Sequence, residues 1–178
     1  MRQLCSQAGF NLIESMLVLA VLAVATSIAL PSLNELRQRH QARAATAELS
    51  AHLALARSAS IALGSSVAVC PSTASNSCMA SHDWTRGWLV YTDPDGNRKP
   101  DRASDIIAAL TTRASSTISI RTTIGRTQVR YDSLGTAQGT NATFNICRGS
   151  YLDTQVIVSM AGRARAQRHT PVLPCPSS

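Results

Sequence analysis

"AGFNLIESMLVLAVLAVATSIALP", residues 8–31, decides how the rest of the chain is read. Phe10 to Leu30 is a run of 21 residues with one formal charge, Glu14, and an unbroken apolar stretch from Met16 to Ala25. As a helix rising ~1.5 Å per residue it spans ~31 Å, the thickness of a bilayer hydrocarbon core. A conventional secretory signal is one reading, with Ala23-Val24-Ala25 as its small-residue cleavage site. That reading leaves Asn11 and Glu14 unexplained at the entry to the apolar run. A lipoprotein signal needs its cysteine after the apolar run, whereas Cys5 precedes it. A carboxylate near a bilayer centre costs on the order of 3 kcal/mol on insertion scales, so Glu14 requires a partner or a place at headgroup level.

"AGFNLIE" resembles the processing site of type IV pilins and type II secretion pseudopilins. The resemblance implies a basic leader, residues 1–9, ending at Gly9. A prepilin peptidase would cut there and methylate the new N-terminal Phe10. Glu14 takes the place of the family's glutamate at the fifth mature position, which meets the N-terminal amine of a neighbouring pilin during assembly. Pro31 falls where many pilins carry a helix-kinking proline. Residues 10–30 are then a transmembrane and assembly helix, held in the inner membrane before the subunit enters a filament.

After Pro31 the pattern stays helical over residues 31–64. Ser32 is placed to cap it, with Glu35 three residues on as a capping box. Leu33, Leu36, Ala47, Leu53, Ala54 and Ile61 approximate an apolar face, and Gly64 is a natural stop. From Ser65 to Ser178 the texture changes to short alternating runs separated by turns. "SVAVC", "GWLVYT", "DIIAAL", "TISIRT", "TQVRYD", "ATFNIC" and "TQVIVSM" read as strands. No second helical pattern follows, which excludes parallel βαβ units. The expected fold is α+β: a long N-terminal helix packed on an antiparallel β-sheet head. "LARSASIALGSSVAVCPS" and "GWLVYTDPDGNRKPD" are similar to the minor pilin group that includes the pseudopilin GspH and the pilin FimT. This resemblance runs from Gly9 nearly to the C-terminal cysteine, and it implies a periplasmic head.

Composition fits one domain with an appendage. Hydrophobic residues make up 44% of the 178, enough for a core, while aromatics at 4% make that core mainly aliphatic. Cys5 belongs to the leader. Cys70, Cys78, Cys147 and Cys175 remain, and in an oxidising compartment they form two disulfides. Of three possible pairings we expect Cys70 with Cys78 and Cys147 with Cys175, because each closes a turn-rich segment. The second would also tether the arginine-rich C-terminal segment. Zinc on Cys70, Cys78 and His82 lacks the usual ligand spacing. In "DPDGNRKPD", Asp93, Asp95, Asn97 and Asp101 resemble a Ca²⁺ loop, but Ser104 stands where the twelfth-position glutamate belongs. Asp-Gly and Pro make a plain turn without an ion, and that is the preferred reading. His40, His52, His82 and His169 fit no catalytic spacing, and neither GxGxxG nor a Walker sequence is present. We expect no enzyme, metal or cofactor.

The net charge of +7 is unevenly spread. From Glu35 to Asp105 eight basic residues face seven acidic ones, whereas from Ile106 onward eight arginines face only Asp132 and Asp153. Such asymmetry points to an anionic partner for the C-terminal half. "Gly162-Arg163-Ala164-Arg165" matches the GRxR motif of FimT-type minor pilins, which bind DNA during uptake for natural transformation. The resemblance implies that Arg163 and Arg165 contact DNA, with Gly162 allowing close backbone approach. Arg168 joins them on spacing and charge, and Arg148 would widen the patch. No aromatic is interleaved, so the expected contacts are to the phosphates of double-stranded DNA, without sequence choice. A plain final strand, "GRARAQ", would turn its arginines to solvent and Ala164 and Ala166 to the core, a geometry compatible with DNA binding. The competing function is a structural minor pilin, or a GspH-like pseudopilin priming filament assembly, which binds no DNA.

Overall fold

The computed structural model describes residues 11–73, 76–111, 117–139 and 141–176, with backbone alone at 28–32 and 172. Gly9 and Phe10 therefore lie outside the described residues. One helix, α1 (Leu12–Leu63), is followed by eight strands. The chain divides into a unit ending at Arg37 and a head, Gln38–Ser178.

In the first unit every described side chain from Asn11 to Ser27 is exposed. Leu12, Ile13, Met16, Leu17, Leu19 and Val21 are among them. Three hydroxyls bond back to helix carbonyls: Ser15 Oγ to Asn11 at 3.4 Å, Thr26 Oγ1 to Leu22 at 2.9 Å and Ser27 Oγ to Val24 at 2.7 Å. Internal satisfaction of that kind leaves no hydroxyl dependent on water. Among the described residues no helix is long and apolar enough to cross a membrane. The backbone stays helical through Pro31 and Ser32. Ser32 is thus an interior residue rather than the expected N-cap, since capping requires a non-helical backbone at that position.

Within the head, α1 buries Ala42, Leu49, Leu53, Ala56 and Ser60, a stripe at helical spacing. Of the face expected from sequence only Leu53 belongs to it. Ala47, Ala54 and Ile61 are exposed, as are Leu33 and Leu36. Small residues share the contact with Leu49 and Leu53. The helix stops where Gly64 takes φ +59°. Gly64 N–H donates to Ile61 O and Ser65 N–H to Ser60 O, the paired bonds of a Schellman cap.

The strands are β1 (Val67–Pro71), β2 (Gly87–Thr92), β3 (Ile106–Thr111), β4 (Ile118–Thr122), β5 (Val129–Tyr131), β6 (Ala142–Arg148), β7 (Tyr151–Val158) and β8 (Ala164–Pro174). They form two antiparallel four-stranded sheets, ordered β3-β2-β1-β5 and β4-β6-β7-β8. Inward residues of both sheets, such as Val69, Val90, Ile120, Phe144 and Val156, share one core with the helix stripe. Trp84 packs edge-on against Phe144 with ring centroids 4.9 Å apart. A smaller cluster, Ala68, Cys70, Leu89 and Tyr91, lies against Cys78 and Ile106.

All buried core residues fall between Ala42 and Val158. Both disulfides are also within the head, Cys70–Cys78 and Cys147–Cys175, with Cα separations of 5.5 and 5.9 Å. Among the described residues, the core and both disulfides therefore lie in the head. The expected pairing is the one observed. Its tethering effect differs from expectation: Cys175 N–H bonds Ser150 O in the β6–β7 turn, so the bridge fastens the far end of β8. The arginine-bearing end is fixed by pairing with β7.

Candidate nucleic-acid interface

The GRxR segment is the turn and first strand residues of the β7–β8 hairpin. Ser159 N–H donates to Arg163 O at 3.0 Å and Gly162 N–H to Ser159 O at 2.8 Å, closing the turn. Gly162 is buried, with φ +77°. A Cβ there would lie 1.9 Å from Gly135 O and 3.0 Å from Arg57 Nε. The close backbone approach that the sequence assigned to DNA is made to the protein itself: Gly162 seats the hairpin on the Gly135 turn.

Helix α1 completes this joint. Arg57 Nε donates to Gly135 O at 3.0 Å, Ala137 N–H to Met160 O at 2.9 Å, and Met160 N–H to Asn141 Oδ1 at 3.1 Å. The Gly135 turn is organised by Asp132, whose carboxylate accepts from Leu134 N–H and Thr136 N–H, each at 2.9 Å, and from the Thr136 hydroxyl. The Thr136 hydroxyl is the main reason the Asp132 carboxyl is held below its ordinary pKa, with backbone donors adding to it.

Beyond the joint, strand phase sorts the arginines. Arg165 pairs with Ile157 of β7, and Arg163 stands just before β8, its carbonyl accepting from Ser159 N–H. Both are exposed, and neither side chain makes an ion pair among the described residues. Arg168 pairs with Thr154 and has the opposite phase. It lies beside Arg43, Thr46, Ala47 and Ser50 in a groove of about 410 Å³ against the helix. Arg168 is therefore on the opposite face of β8 from Arg165. Ala164, on that inner side, packs on the core, but Ala166 is exposed because the groove leaves it uncovered.

Arg148 is further removed. It ends β6, opposite Tyr151, while Ala142 at the other end lies opposite Val158, which pairs with Ala164. Six residues of strand separate the two ends, roughly 20 Å. Its Nε bonds Asp153 Oδ1 at 2.7 Å, and both side chains are largely covered. Such a guanidinium is already occupied by a carboxylate.

The outward face of the second sheet carries residues that sequence reading missed. Arg121, Asn145, Gln155 and Gln167 stand in register across β4, β6, β7 and β8. Gln155 Nε2 donates to Asn145 Oδ1 at 2.7 Å, and Gln155 Oε1 meets His169 Nε2 at 2.6 Å. Polar residues at alternate strand positions, Thr143 and Asn145 or Arg165, Gln167 and His169, were the available signal. In the 93–101 loop, read from sequence as a turn in preference to a Ca²⁺ site, the polar side chains bond one another. Asp93 is buried and pairs with Arg130 at 3.2 Å, while Asn97 Nδ2 donates to both Asp95 and Asp101. Among the described residues no group of three His, Cys, Asp or Glu is placed to hold a metal.

The family model described as type II transport protein GspH matches residues 45–162. No curated protein matches the chain significantly. Two crystal structures of the Pseudomonas aeruginosa type IV minor pilin FimU are similar in fold. The first superposes with a TM-score of 0.61 at 19% identity, covering 76% of this chain and 94% of that one. The second, another crystal form, gives 0.53 at 21% identity, with 74% and 96% covered. With more than half its length matched by that model, and with an antiparallel head and N-terminal helix of the minor-pilin kind, the chain belongs to the GspH family.

Proposed function

We propose that this chain is a FimT-like minor pilin that binds DNA without sequence choice, for uptake in natural transformation. The observation that carries the reading is the pair of exposed arginines, Arg163 just before β8 and Arg165 within it, on a hairpin seated by Gly162. Two residues apart along an extended chain, they are separated by ~6.5–7 Å. Adjacent phosphates of one strand are ~7 Å apart, from ~3.4 Å of axial rise plus winding. Arginine offers phosphate a planar fork of donors, and no aromatic stands in the segment to stack bases. Arg168 adds charge from the groove side, and Arg148 contributes little while Asp153 holds it.

The N-terminal unit anchors and assembles the subunit. Prepilin peptidase removes residues 1–9 and methylates Phe10, and the exposed apolar side chains beyond it enter the inner membrane. Glu14 meets the N-terminal amine of a neighbouring pilin when the helix leaves the bilayer, so the head passes from the periplasm into the pilus.

The test is fluorescence anisotropy with two duplexes of unrelated sequence. Equal affinities, lost together in Arg163→Gln/Arg165→Gln, are expected. A strong preference between the duplexes, or a double variant that binds as well as the parent, would reject the reading. One observation favours the structural role instead: β8 is an edge strand, and arginines along an edge also guard it against pairing with other chains. That role predicts no DNA binding at any salt.

A further inference from the structure

A basic cleft of about 550 Å³ opens beside the segment that seats the hairpin. Its charged lining is Arg98, Lys99, Arg126 and Arg130. Asp93, buried, pairs with Arg130. The nearby acids Asp95 and Asp101 share the Asn97 amide. Among the described residues neither Arg98 nor Lys99 makes a side-chain ion pair.

The walls are fixed. Arg98 takes φ +68°, a conformation rare outside glycine. It is held there by Asp93 Oδ1, which accepts from its N–H at 3.3 Å, and by Gln128 Nε2, which donates to its carbonyl at 2.8 Å. The Arg126 guanidinium donates to Gln138 O at 2.9 Å and lies over Gly139, where a Cβ would come within 2.3 Å of Nη2. The opposite wall is fastened by the Cys70–Cys78 bridge and by Met79 N–H on Pro71 O at 2.8 Å. Among the described residues no aromatic side chain lines the opening. Converging cations in a concave site without a stacking surface favour phosphate oxygens over bases.

The cleft adjoins the hairpin through the chain itself. Gly139 is two residues from Ala137, which bonds Met160, which is three residues from Arg163. At ~3.8 Å per residue the Cα atoms of Gly139 and Arg163 are within about 25 Å. That is roughly seven base pairs of duplex at ~3.4 Å each. We infer that the cleft is a second phosphate site, taking backbone phosphates of the same DNA that Arg163 and Arg165 contact; this rests on the DNA-binding reading above.

The experiment uses the full chain in nonionic detergent with two probes, a 30-base-pair duplex titrated across salt and tripolyphosphate followed by calorimetry. Arg98→Gln/Lys99→Gln alters two exposed side chains and leaves the core untouched. It should flatten the log–log salt slope for DNA by about 1.8. It should also weaken tripolyphosphate by about ten-fold, as loss of charge-assisted bonds implies. Arg163→Gln/Arg165→Gln should leave tripolyphosphate binding in place. An unchanged slope together with unchanged tripolyphosphate affinity overturns the inference. Tripolyphosphate binding that depends on Arg98 and Lys99, with an unchanged DNA slope, also overturns it, because the cleft would then take free phosphates only. If the parent chain binds tripolyphosphate but no duplex, the hairpin reading fails and the shared-DNA inference falls with it, while the phosphate site stands.

Discussion

Replacing Gly162 with alanine separates a structural glycine from a DNA-contacting one. The new Cβ would stand 1.9 Å from Gly135 O, and φ is +77°. Holding an L-residue in the left-handed region costs roughly 1–2 kcal/mol. Relieving the overlap by shifting the turn adds about 1–3 kcal/mol and stretches the 3.0 Å bond from Arg57 to Gly135. A combined loss of about 3 kcal/mol is expected, which for a head of this size lowers Tm by about 10 °C. The assay is urea unfolding of Gln38–Ser178 with its disulfides formed, read by tryptophan fluorescence from the buried Trp84 and Trp88. DNA affinity of the still-folded variant should fall as well, because the hairpin loses its seat. A Gly162→Ala head as stable as the parent, within about 0.5 kcal/mol, would refute the reasoning. Gly162 would then be reserved for the ligand.

The remaining predictions concern the elements around the hairpin. Loss of Cys147–Cys175, which spans 28 residues, should cost about 3.5 kcal/mol, against about 2.5 kcal/mol for the 8-residue Cys70–Cys78 span, in the chain-entropy model; denaturant midpoints of the two double-serine variants check the order. Because its folded pKa is depressed, Asp132 contributes stability that is fully present above its unfolded pKa of about 3.9 and is lost as pH falls through the folded value. Asp132→Asn should remove that part of the acid dependence, seen as a flatter stability profile below about pH 4. Arg148→Gln should leave the salt slope of DNA binding unchanged, since Asp153 already occupies the guanidinium, whereas Arg165→Gln alone should flatten it by about 0.9.

Seven of the eight strands are legible because β-branched and aromatic runs alternate with Asp-Gly and Gly turns, signals that act locally, whereas β8 is legible only as the alternative strand "GRARAQ" and runs on to Pro174. "GWLVYT" became β2 residue for residue. The cysteines are legible for a related reason, since each pair closes a turn-rich segment. The helix face is not. Its contact stripe is Ala42, Ala56 and Ser60 as much as Leu49 and Leu53, and small residues give a weak periodic signal. The role of Gly162 was hidden because Gly135 O, its close neighbour, is distant in sequence. Arg168 is close to Arg163 and Arg165 along the chain, but its odd spacing from Arg165 in a strand turns it to the other face. Arg148 looked available because its partner, Asp153, lies across a hairpin whose register the sequence does not state.

The central claim is that Arg163 and Arg165 hold DNA by its phosphates. The direct measurement is the salt dependence of duplex affinity for the head and for Arg163→Gln/Arg165→Gln, both checked for folding. The account predicts linear log–log plots, with that of the double variant flatter by about 1.8, the value for two lost phosphate contacts. Parallel plots, or no binding by the parent head even at low salt, would contradict it.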